Sequence, residues 1–183
     1  MTYDFNTAGE QRSFDVVPDR TVAVVQLNIR PGNAGEDGLL KRSKTGEAEG
    51  LDCELIVVGG DYDKRKLWEW FTVSGTTDGH AQAADISRRK LRAILESARG
   101  IKPTDVSEAA KKARVAEYAD FDGIRFLAQI GVEPAKGDYR AKNFLAQIIT
   151  PDRKEWHPID QVERPAAGAE RPSNVIVKPA WAS

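Results

Sequence analysis

Two carboxylates one residue apart, Asp52 and Glu54, are this chain's nearest approach to a catalytic pair. Alternation along a strand would put both on one face, where they could hold a divalent ion for phosphodiester hydrolysis. The surrounding Leu51-Asp52-Cys53-Glu54-Leu55 offers no lysine of the kind restriction-type nucleases set beside such a pair. Solvated carboxylates on an outer strand face are the plainer account. His80, His157 and the lone Cys53 are too scattered to form a metal-ligand cluster. No glycine-rich phosphate loop precedes a helix, and Ser74-Gly75 lacks the flanks of a nucleophile elbow. The expectation is a chain with no catalytic residues, no cofactor and no metal.

A different chemistry is concentrated in Lys64-Arg65-Lys66-Leu67-Trp68-Glu69-Trp70-Phe71-Thr72-Val73, which packs three cations and three large aromatics into ten residues. On a strand, Lys66, Trp68, Trp70 and Thr72 share one face and Leu67, Glu69, Phe71 and Val73 the other. Cations beside exposed rings are what a single nucleic-acid strand requires, charge for phosphates and flat surfaces for bases. Taken alone, the run reads slightly better as tryptophans in a core.

The elements that would position these residues follow from periodicity. Thr21 to Arg30 alternates as a first strand, with Ala23, Val25, Leu27 and Ile29 on one face and Val24, Gln26, Asn28 and Arg30 on the other. Gly32 to Gly50 is a long polar loop of the kind that is functional or disordered. Leu51 to Val58 and Lys64 to Val73 read as a hairpin across Gly59-Gly60-Asp61. A helix capped by Thr76-Thr77-Asp78-Gly79 runs to Arg99 and stops at Gly100. Its arginines and lysines read as a solvated face. A second helix is expected from about Ser107 to Ala119, with Asp105 and Glu108 as a capping box. Gly123 to Val132 and Asn143 to Thr150 complete the strands. Both contain Phe-Leu-Ala-Gln-Ile, from Phe126 and from Phe144, which reads as one hairpin whose two strands meet similar packing demands. Trp156-His157-Pro158 suggests a short edge segment.

Three strands, helical material, then two strands is the succession of the five-stranded oligonucleotide-binding barrel, with two helices where one is usual. The expected class is therefore mostly β with inserted helices, β-β-β-α-α-β-β. An α+β sandwich is the alternative. Residues 1–20 read as an arm, 21–161 as the barrel domain with its helical insert at 79–119, and 162–183 as a flexible proline- and alanine-rich tail ending in an apolar stub at Trp181. In such a barrel the face of strands two and three, with the loops joining strands one to two and four to five, receives single strands. The first loop carries Lys41, Arg42 and Lys44, just beyond Arg30. The second carries Lys136, Tyr139, Arg140 and Lys142. Strand three carries Lys64, Arg65, Lys66, Trp68 and Trp70, and Trp156 is a further ring available for stacking. This convergence shifts the expectation toward a binding role for at least one of Trp68 and Trp70. Asp52, Glu54 and Glu69 lie in the same region and oppose phosphate.

The 183 residues carry 27 Lys and Arg against 28 Asp and Glu, a formal net charge of −1 that argues against a protein coating duplex DNA. No apolar run is long enough to span a bilayer, and the first residues lack a secretion signal, so the expected compartment is a reducing cytoplasm. The chain could self-associate into a homo-oligomer.

Tyr3-Asp4-Phe5-Asn6-Thr7, Gly50-Leu51-Asp52-Cys53-Glu54, Lys64 to Phe71, Ile86 to Leu95 and Gly131-Val132-Glu133-Pro134 resemble a phage and prophage family of unknown function, similar in layout to phage single-stranded DNA-binding proteins. The resemblance spans the chain to about Val162. It implies a helper of phage replication or recombination in a bacterial host, with single-stranded DNA and a phage recombinase or helicase as partners, and no catalytic residues. The tail departs from the acidic tails by which bacterial single-strand-binding proteins recruit partners: it is basic and proline-rich.

Overall fold

The alternation in Thr21–Ile29 produces a strand, β1, with Val25, Leu27 and Ile29 in the core and Gln26 and Asn28 on the opposite face. The computed structural model describes residue 6 and residues 16–161; the tail at 162–183 and all but a few residues of the expected arm lie outside that range. The described chain is mostly β. With β1, the strands β2 (Lys41–Arg42), β3 (Ala48–Val57), β4 (Lys66–Gly75), β5 (Arg125–Glu133) and β6 (Lys142–Ile149) form one six-stranded antiparallel sheet. Between β4 and β5 come α1 (Asp78–Arg99), α2 (Glu108–Lys112) and a 3₁₀ turn at Tyr118–Phe121. Among the described residues no helix is long and apolar enough to cross a membrane.

β1 is the pivot of the sheet. Its first part pairs with β5, Thr21 opposite Ile130 through Gln26 opposite Arg125, and its second part pairs with β3, Val25 opposite Val57 through Ile29 opposite Cys53. β4 lies along the other edge of β3, and β6 along the far edge of β5. The expected closed barrel does not form. β4 and β6 approach within 8 Å between Cα atoms but share no ladder, so the sheet stays open there. The core fills one face of the sheet, where Leu27, Leu51, Leu55, Phe71, Phe126 and Ile130 form one cluster with Leu91, Ile94 and Leu95 of α1.

α1 begins and ends as its sequence dictates. Thr77 Oγ1 accepts from His80 N at 3.2 Å, and Gly100 turns the chain at φ 68° while its N–H returns to the Glu96 carbonyl. The second helix is much shorter than expected and starts on a different cap. Ser107 Oγ accepts from Ala110 N, Asp105 only accepts from Ser107 N, and the helix stops at Lys112. Side chains from α1 hold the backbone beyond Lys112 in another path. Arg99 bonds the carbonyls of Ala113 and Val115, and Glu96, 3% exposed, accepts from both Arg92 and Arg114. These tertiary bonds outweigh the high helix propensity of a segment rich in Ala, Lys, Arg and Glu.

The polar loop is more ordered than its composition suggests. β2 pairs with β3, Lys41 opposite Gly50 and Arg42 opposite Glu49, and Ala34 bridges Leu40. The repeated Phe-Leu-Ala-Gln-Ile strings do form a hairpin, but their environments differ. A bulge between Gln129 and Ile130 shifts the register, Phe126 is fully buried, and Phe144 is 40% exposed. Residues 156–158 form no strand.

Candidate nucleic-acid interface

β4 divides its side chains as the alternation requires. Leu67 and Phe71 are buried, whereas Trp68 is 56% and Trp70 36% exposed. The reading of both tryptophans as core is therefore overturned. They stand on the solvent face of the sheet in rows fixed by strand pairing: Asn28–Glu54–Trp68, Gln26–Ile56–Lys66, and Asp52–Trp70. Gly50 makes room for Trp70, because a Cβ there would lie 2.7 Å from Trp70 Cε2 and 2.5 Å from the Phe71 carbonyl oxygen. Only glycine lets the indole cross β3 this closely.

The two carboxylates of this face are bound by cations. Both Asp52 oxygens accept from Arg30 Nη2, at 2.7 and 2.6 Å, and one accepts a third bond from Lys41 Nζ at 2.7 Å. Glu54 meets Lys66 Nζ at 3.1 Å. Among the described residues no group of three or more His, Cys, Asp or Glu is placed to hold a metal ion. Burial would push the Asp52 carboxyl up, but bonds from Arg30 and Lys41, with their charges, outweigh it and hold its pKa below the ordinary value. Cys53, on the core side of β3, is fully buried, and burial pushes its thiol up to about 12.

A depressed carboxylate pKa contributes stability that is present above the unfolded-state value, about 3.9, and is lost as pH falls through the lower folded-state value. Asp52→Asn is thus expected to cost about 1–2 kcal/mol at neutral pH. In urea unfolding followed from pH 6 to pH 3, the gap between variant and parent should close with acid. A gap that persists unchanged at pH 3 would show that Asp52 matters through packing instead. The same variant releases Arg30 and Lys41, and should steepen the salt dependence of any phosphate binding.

The remaining expected residues fall into three places. Arg42 pairs with Glu49 on the strand face opposite Lys41, and Lys44 is exposed in the β2–β3 turn. Lys64, Arg65, Lys66, Trp68 and Lys142 line a cleft of about 900 Å³ at the open seam, where the N-terminal ends of β4 and β6 diverge. Val16, Asp63, Glu69, Glu133, Asn143 and Phe144 complete it. Lys136, Tyr139 and Arg140 are exposed in the loop leading into β6, with Tyr139 at 82%. Trp156 is not brought to this surface. Its Nε1 donates to the Ser97 carbonyl at 3.0 Å and its ring packs beside Gly100, at the C-terminal end of α1.

Sequence reasoning missed Phe144 because its string matched that of buried Phe126. The signal was across the hairpin: Gly131 faces Phe144, and a Cβ on Gly131 would lie 2.6 Å from Phe144 Cζ. Glu69 turns toward α1 and is bonded by Lys90, so it meets one cation on its own side of the sheet.

Lys64 has φ 65°, the left-handed region that costs a side-chain-bearing residue about 1–2 kcal/mol. Lys64→Gly should therefore raise stability by up to about 1 kcal/mol, after the extra freedom of the unfolded glycine is subtracted. If Lys64 contacts a phosphate, the same change should flatten the salt slope of any single-strand binding by about 0.7. Thermal melts and titrations at two salt concentrations check both signs. Compared with known proteins, the chain matches no family model and no curated protein.

Proposed function

We propose that this chain is a non-catalytic single-stranded DNA-binding protein with little sequence preference, acting in phage replication or recombination. The observation that carries the reading is the pair of solvent-facing tryptophans on β4, flanked by Lys66 on the same strand face and by Arg30 and Lys41 across β3. Rings stack on bases and cations track the phosphates, a division of labour that tolerates any sequence. The connectivity supports an open relative of the oligonucleotide-binding barrel. β1 pairs with both β3 and β5, the helices lie between β4 and β5, and closure would need only a β4–β6 ladder. The binding face would then be that of β3 and β4. The resemblance drawn from the sequence would add a bacterial cytoplasm and phage partners to this reading.

Titration with oligo-dT tests this. Tryptophan fluorescence should quench, and log affinity should fall with log salt by about 0.7 per phosphate neutralised. Absence of quenching and of salt-dependent binding at micromolar protein would defeat the proposal.

One observation favours a second reading, an adaptor within a phage replication complex. Ile86, Ala93, Leu145 and Ile148 line an apolar groove between α1 and β6, with Ile86 49% exposed. An adaptor would bind DNA weakly and co-purify with a recombinase or helicase. Loss of the complex on deleting residues 165–183 would assign it to the Trp181 tail, which lies outside the described residues.

A further inference from the structure

The open seam holds a cleft that the sheet face alone does not explain. On one side stands the start of β4, with Lys64, Arg65, Lys66 and the exposed ring of Trp68; on the other the start of β6, with Lys142 and the exposed ring of Phe144. Four lining cations, Lys64, Arg65, Lys66 and Lys142, face three lining carboxylates, Asp63, Glu69 and Glu133. Lys90 of α1 pairs with Glu69 from outside the cleft and Glu54 pairs with Lys66, so the excess of cations over carboxylates stays at one. Glu133 and Lys142 pair across the hairpin at 3.0 Å, both well exposed, where exchange for a phosphate costs little. Lys64 retains its charge at a backbone angle that glycine would occupy more cheaply, and makes no ion pair among the described residues. Trp68 belongs both to the binding face and to the cleft wall, so the two surfaces are continuous.

We infer that a bound single strand leaves the β3–β4 face at Trp68 and enters the cleft between β4 and β6, with Phe144 as a second stacking residue and Lys64 and Lys142 as phosphate contacts. This rests on the single-strand reading above and adds to it a route and a residue. Charge favours a polyanion: an uncharged extended peptide could pair with the open edges of β4 and β6, but it gains nothing from the cation excess of the lining, whereas a polyanion does. The cleft also accounts for a site longer than the tryptophan pair, within the roughly 4–16 nucleotides that comparable small domains cover.

The test uses the full chain and oligo-dT of about six and about fourteen nucleotides, inside that range. Phe144→Ala should weaken the longer oligonucleotide by about tenfold and the shorter by less than about twofold, whereas Trp70→Ala should weaken both. On the unaltered chain, ultraviolet crosslinking of an oligonucleotide carrying 5-iodouracil should label the β6 peptide with Phe144 as well as the β4 peptide. This arm holds even if exposing Gly131 unfolds the variant. Crosslinks confined to β4, with Phe144→Ala binding the longer oligonucleotide normally, would overturn the route and leave the sheet-face reading intact. No crosslink and no loss in either variant would overturn both. Unchanged DNA binding in Phe144→Ala, together with lost self-association in sedimentation, would replace the strand by a second copy of the chain.

Discussion

Trp68→Ala is expected to weaken oligo-dT binding by about one to two decades while leaving the melting temperature nearly unchanged. Stacking one base on one ring is worth about 1–3 kcal/mol, and Trp68 faces both the solvent side of the sheet and the cleft. The fold stands to lose little, because more than half of the residue is already in water, at 56% exposure. The salt slope should stay the same, since no phosphate contact is removed. An equal loss from Lys66→Ala with an unchanged slope would be the wrong signature for Lys66, which acts by charge. Trp70→Ala should lose binding too, but it also uncovers Gly50, so its effect must be read beside a melt. A Trp68→Ala protein that binds normally in 0.1 M salt would remove the main support for the proposed function.

Phe71→Ala should do the reverse. Phe71 follows Trp70 directly, yet points to the other face and is 0% exposed. It packs in the core cluster that joins β3 and β4 to α1. Truncating such a ring costs about 3–5 kcal/mol, from lost burial and from a cavity that neighbouring strands cannot collapse to fill. For a chain of this size the loss corresponds to a melting temperature lower by about 6–20 °C. Affinity measured on the folded fraction should be close to that of the parent. If Phe71→Ala melts normally, the assignment of faces on β4 is wrong, and Trp68 and Trp70 lose their place on the solvent side with it.

The parts of this architecture that depend on local periodicity were readable from the chain. β1, α1 with its Thr77 and Gly100 caps, and the order of strands around the helical insert all rest on near-neighbour spacing. What periodicity cannot reveal is set by distant partners. The second helix stops at Lys112 because Arg99 bonds the backbone carbonyls just beyond it and Arg114 is tied to Glu96 of α1. β2 forms because the far end of β3 offers an edge beyond β1. Whether β4 and β6 join is a matter of how far a sheet curls, and no single strand encodes it. The site was legible in part for the same reason. The face assignment of Trp68 and Trp70 needed only alternation, whereas their exposure depended on that face of β4 being the one turned away from the core. Phe144 and Trp156 exchanged roles because one is bedded on Gly131 at the cleft and the other is tied to Ser97.

Cys53 supplies a built-in clock for the central strand. It sits in β3 between Ile29 of β1 and Glu69 of β4, so an alkylating reagent can reach its sulfur only after that strand has parted from its neighbours. Its rate of modification under native conditions therefore measures the free energy of the opening that parts β3 from β1 and β4. A cysteine introduced at any exposed position would react long before it, so a single dye can be placed on the loop after Glu133 and followed there while Cys53 stays silent.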